Sequence, residues 1–259
     1  MPDSYMRYEV KDQVATLTMD RPPVNALDVK LMDDLLVALR RAGDDPDVQA
    51  IVINSAAEHA FCAGLDLKAV QAWSASHVKR FLEKIYIELY DVQNALGKPS
   101  IAAVHGAVRG GGISIAMSCD LIVAGETSSF SYSEIHVGLI PAIHLIYLPR
   151  LVGRYRAFDL LFNGPTFNAR EAMDIGLVSR VVIDAEVYVT AWNVAHQMAM
   201  RSPSAMRIGR ELYKLVNDNG FRNQLPHVIN AFVQLSETED AKEGFRAFVE
   251  KRPPQWPGR

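Results

Sequence analysis

The chain has 259 residues, 49% of them hydrophobic, which is enough to bury one large core. The net charge is −3 and both signs are spread along the length, so the composition excludes a basic nucleic-acid surface and a polybasic membrane patch. Cys62 and Cys119 lie far apart without metal-binding spacing, which argues against a disulfide scaffold and against a metal site.

The N-terminal residues and the hydropathy of the chain predict where the protein works. The N-terminus has no signal-peptide pattern, and no apolar run reaches the length that crosses a bilayer. We therefore expect a cytoplasmic protein whose partners include neither a membrane nor a nucleic acid.

The first half of the chain alternates between strand and helix patterns. Residues 14–19 mix β-branched and apolar side chains in near alternation, and the cluster at 20–23 ends this strand. From Asp28, a suitable N-cap, apolar residues recur at helical spacing as far as Gly43. Next come a buried strand at 50–54, a helix at about 75–96, a strand at 100–104, a short helix after the glycines at 110–112, and a strand at 120–124.

The second half becomes helical throughout beyond about residue 185. Helical stretches lie near 186–201, 204–218, 222–236 and 239–250. Because strands alternate with helices before that point, we predict an α/β fold with a largely parallel sheet. The predicted α/β core covers residues 1–185, and a C-terminal helical subdomain covers residues 186–259.

Two loops carry small residues directly before a predicted helix. They are residues 61–68, after the strand at 50–54, and residues 109–114, after the strand at 100–104. Backbone N–H groups at a helix N-terminus bind negative charge, so two such loops facing each other would form an oxyanion hole. On glycine content alone, the triplet at 110–112 is as well explained by a tight turn or by close packing of a helix on a sheet.

Residues 112–116 nearly match the nucleophile elbow GxSxG, with Ser114 at its centre. An elbow requires a sharp strand-to-helix turn, whereas about seven residues separate this motif from the preceding predicted strand. We therefore regard Ser114 as a poor nucleophile. The phosphate-binding patterns GxGxxG and GxxxxGK[ST] do not occur.

Several segments together resemble a known family in order and spacing. They are residues 25–27, 61–68, 105–112, 133–141, 169–178 and 243–252, which span nearly the whole chain. The family that they resemble is the enoyl-CoA hydratase/isomerase (crotonase) family. The resemblance implies a crotonase-like spiral of ββα units whose C-terminal helical subdomain mediates trimerisation. It also implies an acyl-CoA thioester substrate, no cofactor apart from the coenzyme A of the substrate, no metal, and a homotrimer or homohexamer.

The resemblance also implies roles for particular residues. The backbone N–H groups of Leu65 and Gly111 would hold the thioester oxygen, and Glu134 would transfer the proton. An apolar pocket around Glu134 should raise the pKa of its carboxyl. Lys68 and Lys251 could meet the phosphates of coenzyme A, although solvated surface lysines are an equally good explanation. The remaining implied substrate-binding residues are Val24, Ala26, Ala63, Asp66, Leu67, Gly110, Ser114, Pro141 and His144.

Two positions depart from the family pattern. Ser114 stands where the hydratases have a second glutamate, and a serine is too weak an acid or base to share water addition with Glu134. A single carboxylate suffices for a 1,3-proton shuttle, which favours double-bond isomerisation. His144 lies in 141–146, where the family usually has a glycine-rich turn. His144 either faces the pocket as a replacement acid or base, or packs beneath the following helix.

Three functions are therefore kept open. The first is isomerisation or hydration of an enoyl-CoA through Glu134. The second is hydrolysis of a CoA thioester or of a carbon–carbon bond through His144. The third is a non-catalytic binding member of the family. The net charge of −3 argues against RNA as the ligand of such a protein. We further expect Arg109 to form a structural or subunit-interface ion pair, and the apolar helix at 221–235 to be compatible with burial at an interface.

Overall fold

The computed structural model describes residues 4–217 and 220–258, so the last residue of the helix predicted at 204–218 lies outside the described residues. Two sheets are present in this part of the chain. A six-stranded sheet has the order β1-β2-β3-β5-β7-β10, and a four-stranded sheet has the order β4-β6-β8-β9. The strands are β1 (Met6–Lys11), β2 (Val14–Met19), β3 (Ala50–Ser55), β4 (Ala60–Cys62), β5 (Ser100–Val104), β6 (Ala107–Arg109), β7 (Leu121–Gly125), β8 (Ser129–Ser131), β9 (Phe167–Asn168) and β10 (Arg180–Val182).

Helices surround both sheets. A π-helical turn covers Lys84–Glu88, and short 3-10 turns cover Ser133–Val137 and Asp184–Glu186. The α-helices are α1 (Val29–Asp44), α2 (Leu67–Val70), α3 (Ala75–Glu83), α4 (Leu89–Ala95), α5 (Gly111–Ser118), α6 (His144–Val152), α7 (Arg154–Asn163), α8 (Ala169–Asp174), α9 (Val187–Ala199), α10 (Pro203–Asn217), α11 (Phe221–Ser236) and α12 (Glu239–Glu250).

The larger sheet is parallel except at its first hairpin. β1 and β2 pair antiparallel, while β2, β3, β5, β7 and β10 pair parallel in that order. The hairpin turns at Asp12 and Gln13, which both have positive φ, as a two-residue turn that follows the strand twist requires. The predicted parallel α/β fold is confirmed, because helices cover both faces of this sheet.

The two faces of the larger sheet bury different helices. α1 packs its apolar stripe, including Leu31, Leu35 and Leu39, into the larger hydrophobic core. On the other face, Val187 and Ala191 of α9 lie against strand residues such as Val52, Ile101 and Val123. Burial on both faces explains the continuous apolar run in β3. Since α9 packs on the sheet, the division into domains at residue 185 stays a prediction.

The smaller sheet extends each unit of the larger one. β4, β6 and β8 pair parallel with one another, and each follows directly on β3, β5 or β7 of the larger sheet. The chain thus repeats a strand, a second strand and a helix, which is the expected spiral of ββα units. The two loops therefore directly follow β4 and β6. The prediction that they follow the strands at 50–54 and 100–104 is corrected in this respect.

The helix predicted at about 75–96 consists of α3, the π-helical turn and α4. The π turn adds a residue to one helical turn and so changes which side chains face the core. Within it, Ile85 and Tyr86 are buried. Single-turn π segments occur often beside functional sites, and this one lies next to the candidate site.

The C-terminal helices differ in what they bury. α11 packs Phe221, Leu225, Ile229 and Phe232 into the core of its own chain, so its apolar face is not available to a partner. The sequence predicted that this apolar helix could be buried at a subunit interface. For the face that packs into its own chain, that prediction is wrong. None of the helices in the described ranges is both long and apolar enough to cross a membrane.

Candidate functional site

The two small-residue loops meet at one edge of the smaller sheet. β4 and β6 are parallel neighbours, with Cys62 paired to Val108, so their carboxyl ends lie side by side. A Cβ atom added to Gly64 would lie 2.9 Å from the carbonyl oxygen of Arg109. Leu65 follows Gly64 directly in the first loop, and Gly111 lies two residues after Arg109 in the second.

In the first loop, the amide of Leu65 has no backbone partner among the residues that the structure describes. Leu27 N–H donates to Gly64 O at 2.7 Å, and Asp66 N–H donates to Leu27 O at 2.9 Å, so the loop is fixed on either side of Leu65. Gly111 begins α5, where the N–H groups of a first turn have no partner inside the helix. Within the described ranges, neither the Leu65 nor the Gly111 amide donates to a backbone carbonyl.

A buried polar network holds the segment at 24–27 beside the first loop. The Arg21 guanidinium pairs with Asp28 at 3.1 Å and Asp66 at 2.7 Å, and it donates to Ala26 O at 2.8 Å. The fully buried Asn25 side chain donates to Ser55 Oγ at 2.8 Å and to Phe61 O at 3.1 Å. Partial burial acts to raise the pKa of Asp66, but hydrogen bonds from Arg21 and Ala69 outweigh it and lower that pKa.

The glycine triplet at 110–112 serves both a tight turn and the close packing of a helix on a strand. Gly110 has φ +44°, a conformation that L side chains rarely adopt, and it forms the turn from β6 into α5. At Gly112, a Cβ atom would lie 2.5 Å from Cys62 O, so α5 packs directly on the end of β4. At Gly111 it would lie 2.7 Å from Leu27 Cδ1. The triplet therefore makes the turn, permits the close packing and presents the Gly111 amide.

Glu134 lies against Gly110, the residue before Gly111. Its carboxyl packs on Gly110, where an added Cβ atom would lie 2.5 Å from Glu134 Oε1 and 2.9 Å from Cδ. The Oε2 atom is buried and has no hydrogen-bond partner among the described residues. Burial raises the pKa of this carboxyl to about 7, as expected from the sequence, so it exchanges a proton readily near neutral pH.

Ser114 and His144 form a buried contact near the same glycines. The Ser114 Oγ and His144 Nε2 atoms are 3.1 Å apart, and the His144 ring lies 4.6 Å from the Tyr132 ring. His144 is 2% exposed and its Nδ1 atom has no partner in the described part of the chain. Burial lowers the pKa of His144 to about 3, so the imidazole is neutral at physiological pH.

The surroundings of His144 include both the core and a small cavity, and its role as an acid or base stays a prediction. His144 is the first residue of α6 and packs into the core, and its ring also lines a small cavity with Ser114. Pro141 accepts a hydrogen bond from His144 N–H at 2.9 Å and so fixes the start of this helix.

The prediction that about seven residues separate the GxSxG-like motif from the preceding strand is wrong. β6 ends at Arg109, which brings a strand to within two residues of Gly112. Ser114 nevertheless lies one turn inside α5 instead of at the strand-to-helix turn, so the elbow geometry is absent. Arg109 also differs from expectation within this chain, because its guanidinium donates to Ser129 O at 2.5 Å and Ser129 Oγ at 3.0 Å rather than to a carboxylate.

The other predicted binding residues lie around the first loop. Ala63 N–H donates to Val24 O at 3.0 Å, and Leu67 begins α2. Lys68 is exposed on α2, and Lys251 is exposed at the end of α12, which packs against α2. Val24, Ala63, Leu67 and Lys68 therefore lie on or beside the first loop, and their part in binding coenzyme A stays a prediction.

Sequence patterns did not point to the residues that surround Glu134. Burial and the nearby Glu134 carboxylate raise the pKa of Tyr86 and Tyr132, which places both tyrosines beside it. Ile85 Cδ1 lies 3.2 Å from the Cβ position of Gly111. Ile85 and Tyr86 face this site through the π-helical turn, for which the sequence has no recognisable signal.

A family model described as enoyl-CoA hydratase/isomerase matches residues 9–259. The chain belongs to the enoyl-CoA hydratase/isomerase family. It is 34% identical over 247 residues to a probable enoyl-CoA hydratase of Bacillus subtilis, with 95% of each chain covered. It is 32% identical over 256 residues to a carnitinyl-CoA dehydratase of Proteus mirabilis, with 96% of this chain and 97% of that protein covered.

Solved structures of the family agree with this assignment. An enoyl-CoA hydratase/isomerase from Pseudoalteromonas atlantica T6c superposes with a TM-score of 0.85 at 30% identity, covering 98% of this chain and 100% of that one. The predicted crotonase fold is thereby confirmed. As a member of the enoyl-CoA hydratase/isomerase family, the chain is an acyl-CoA enzyme of the lyase or isomerase class.

Proposed function

We propose that this enzyme binds an acyl-CoA thioester, stabilises its enolate with the Leu65 and Gly111 amides, and moves a proton with Glu134. The observation that carries the proposal is the Glu134 carboxyl, which packs on Gly110 next to Gly111 and whose Oε2 atom has no hydrogen-bond partner among the described residues. A carboxyl whose pKa is about 7 suits proton transfer at neutral pH.

The chemistry follows from these positions. Glu134 removes a proton from the carbon next to the thioester carbonyl, and the electron pair moves into the carbonyl, whose oxygen becomes anionic. The two amides hold that oxygen, because unpaired N–H donors stabilise developing negative charge strongly in a dry site. Return of the proton to C4 of a 3-enoyl chain moves the double bond from C3 to C2. This step needs one carboxylate and no cofactor.

Isomerisation is favoured over hydration by the groups around Glu134. Ser114 is uncharged, and His144, with a pKa of about 3, is also uncharged near neutral pH. Neither supplies a second ionised acid or base for the addition of water. Relatives named as a hydratase and a dehydratase support hydration as the related reaction of the same enolate site.

The enolate itself is tested without assuming either reaction. Butyryl-CoA incubated with the enzyme in D2O should exchange protons at C2, detected by mass spectrometry of the recovered thioester. Conversion of 3-butenoyl-CoA to crotonyl-CoA, measured by absorbance, then tests isomerisation. A protein that binds butyryl-CoA but catalyses no exchange at C2 would rule out the proposed enolate.

The contact between Ser114 and His144 supports one alternative, hydrolysis of a CoA thioester or carbon–carbon bond. A histidine that activates a serine is normally assisted by a carboxylate on its second nitrogen, whereas Nδ1 of His144 has no partner among the described residues. We therefore expect His144→Asn to keep C2 exchange within about tenfold. Release of free thiol by the wild type, abolished in His144→Asn but kept in Glu134→Gln, would favour hydrolysis instead.

The groove for coenzyme A is part of the same proposal. We place this groove along the first loop, where Ala63 N–H donates to Val24 O, Arg21 donates to Ala26 O, and Asp66 and Leu67 begin α2. The exposed Lys68 and Lys251 supply cations that would meet the phosphates. The cytoplasmic location expected from the sequence stays a prediction.

We also propose the homotrimer or homohexamer that the family resemblance implies. α10 buries little of its own surface and exposes a row of apolar side chains, which marks a surface for association. Multi-angle light scattering should give three or six times the 28.7 kDa chain mass. A monomer at micromolar concentration would contradict this proposal. The exposed row consists of Ile208, Leu212, Tyr213, Leu215 and Val216.

A further inference from the structure

We infer that Tyr90 and Tyr147 form a wall that limits the substrate to short acyl chains. The inference rests on the proposed function, because it concerns the space that the acyl group would enter beyond the Gly111 amide. Ile85 lies between Gly111 and this space. Its Cδ1 atom is 3.2 Å from the position that a Cβ atom on Gly111 would take, and its side chain also lines the cavity beyond Gly111.

The cavity beyond Gly111 is very small. Its volume is about 20 Å³, which holds roughly one water molecule or one methyl group. Ser114 and His144 form one side of it, and Tyr90 and Tyr147 form another. An acyl chain that extends past C4 therefore meets the tyrosines.

The space outside the two tyrosines is large. A groove of about 750 Å³ lies between α10 and the amino ends of β5, β7 and β10, and Tyr90 and Tyr147 line it as well. A second groove, of about 680 Å³, is also lined by Tyr90. Tyr90 and Tyr147, with Met117 and Ser118, therefore lie between the small cavity and a groove of the size that small-molecule sites usually have.

Contacts hold the wall in place. The Tyr90 hydroxyl donates to the Tyr147 hydroxyl at 3.3 Å, which links α4 to α6. The ring of Phe221 packs on both, with ring centres 5.0 Å from Tyr90 and 5.2 Å from Tyr147. Phe221 is itself buried, so the rings are supported from the side of α11.

Removing one ring should join the cavity to the groove. Saturated acyl-CoA thioesters are suitable probes because their binding needs no turnover, and calorimetry gives their dissociation constants directly. Each methylene that the enzyme buries improves affinity by about fourfold, whereas one that cannot enter gives no gain or a loss. We expect the wild type to bind butyryl-CoA at least tenfold more tightly than octanoyl-CoA, and Tyr90→Ala to reverse this order.

Tyr90→Phe is the matched control, because it keeps the ring and removes the hydroxyl, and it should keep the wild-type preference. Tyr147→Ala opens the same wall from α6 and replaces Tyr90→Ala if that variant does not fold. Equal binding of butyryl-CoA and octanoyl-CoA by the wild type, or an unchanged order in both alanine variants, would overturn the wall. Failure of the wild type to bind any acyl-CoA would instead refute the proposed function.

Discussion

Replacing Glu134 by glutamine should lower kcat for isomerisation and for C2 proton exchange by about 10²- to 10⁴-fold, the usual contribution of a positioned acid or base. Glutamine has nearly the same shape and keeps the contact with Gly110, but it cannot accept a proton. The dissociation constant of butyryl-CoA should therefore change little. Stopped-flow or steady-state assays beside calorimetry separate the two effects.

The pH dependence gives this prediction a second test. Glu134 must be ionised to remove a proton, and its pKa is raised to about 7. Hence kcat/KM of the wild type should rise about tenfold per pH unit below that value and level off above it. The residual activity of Glu134→Gln should lack this rise.

The control for Glu134 is another carboxylate outside the site. Glu126 is exposed on the turn after β7, so Glu126→Gln should retain activity within about twofold. Equal kcat values for the wild type and Glu134→Gln would remove Glu134 from the mechanism. A pH profile without an ionisation near 7 would show that a different group moves the proton.

Replacing Gly111 by proline should lower kcat by about 10²- to 10³-fold relative to Gly111→Ala, because proline lacks the N–H group and alanine keeps it. Gly111 is the first residue of α5, the position at which a helix accepts proline. The additional Cβ atom meets Leu27 Cδ1 and Ile85 in both variants, so this crowding is matched. Besides the lost donor, proline adds ring carbons and restricts the backbone of Gly110, so the kinetic comparison is made together with a check of the fold.

Both Gly111 variants need a check of their fold. Similar circular dichroism spectra and melting temperatures would show that α5 still forms. Equal activity of folded Gly111→Pro and Gly111→Ala would mean that the Gly111 amide does not hold the carbonyl oxygen.

Long periodic elements could be predicted from the sequence, whereas short ones could not. α1 carries apolar residues at helical spacing and an Asp28 cap, and its observed bounds agree with the prediction. β4, β6 and β8 have three residues each, which is too short for a recognisable period. These three strands were not predicted, and two of them, β4 and β6, place the loops side by side. The sequence pattern therefore predicted both loops but not the strand pairing that brings them together.

In the candidate site, likewise, residues on recognisable motifs could be predicted, whereas contacts between distant segments could not. Leu65, Gly111 and Glu134 lie on recognisable motifs, and the structure brings their segments together. The contact between Ser114 and His144 joins residues 30 positions apart, and no local pattern specifies it. The π-helical turn that brings Tyr86 to Glu134 depends on packing rather than on residue preference, so it could not be predicted either.

The proposed mechanism requires the Leu65 and Gly111 amides to point at one oxygen atom. A crystal structure of the enzyme with an unreactive acyl-CoA analogue measures this directly. We predict that the thioester oxygen lies about 2.7–3.2 Å from both amide nitrogens, with the C2 carbon beside Glu134. A thioester oxygen more than about 3.5 Å from either nitrogen would mean that the two amides do not form an oxyanion hole.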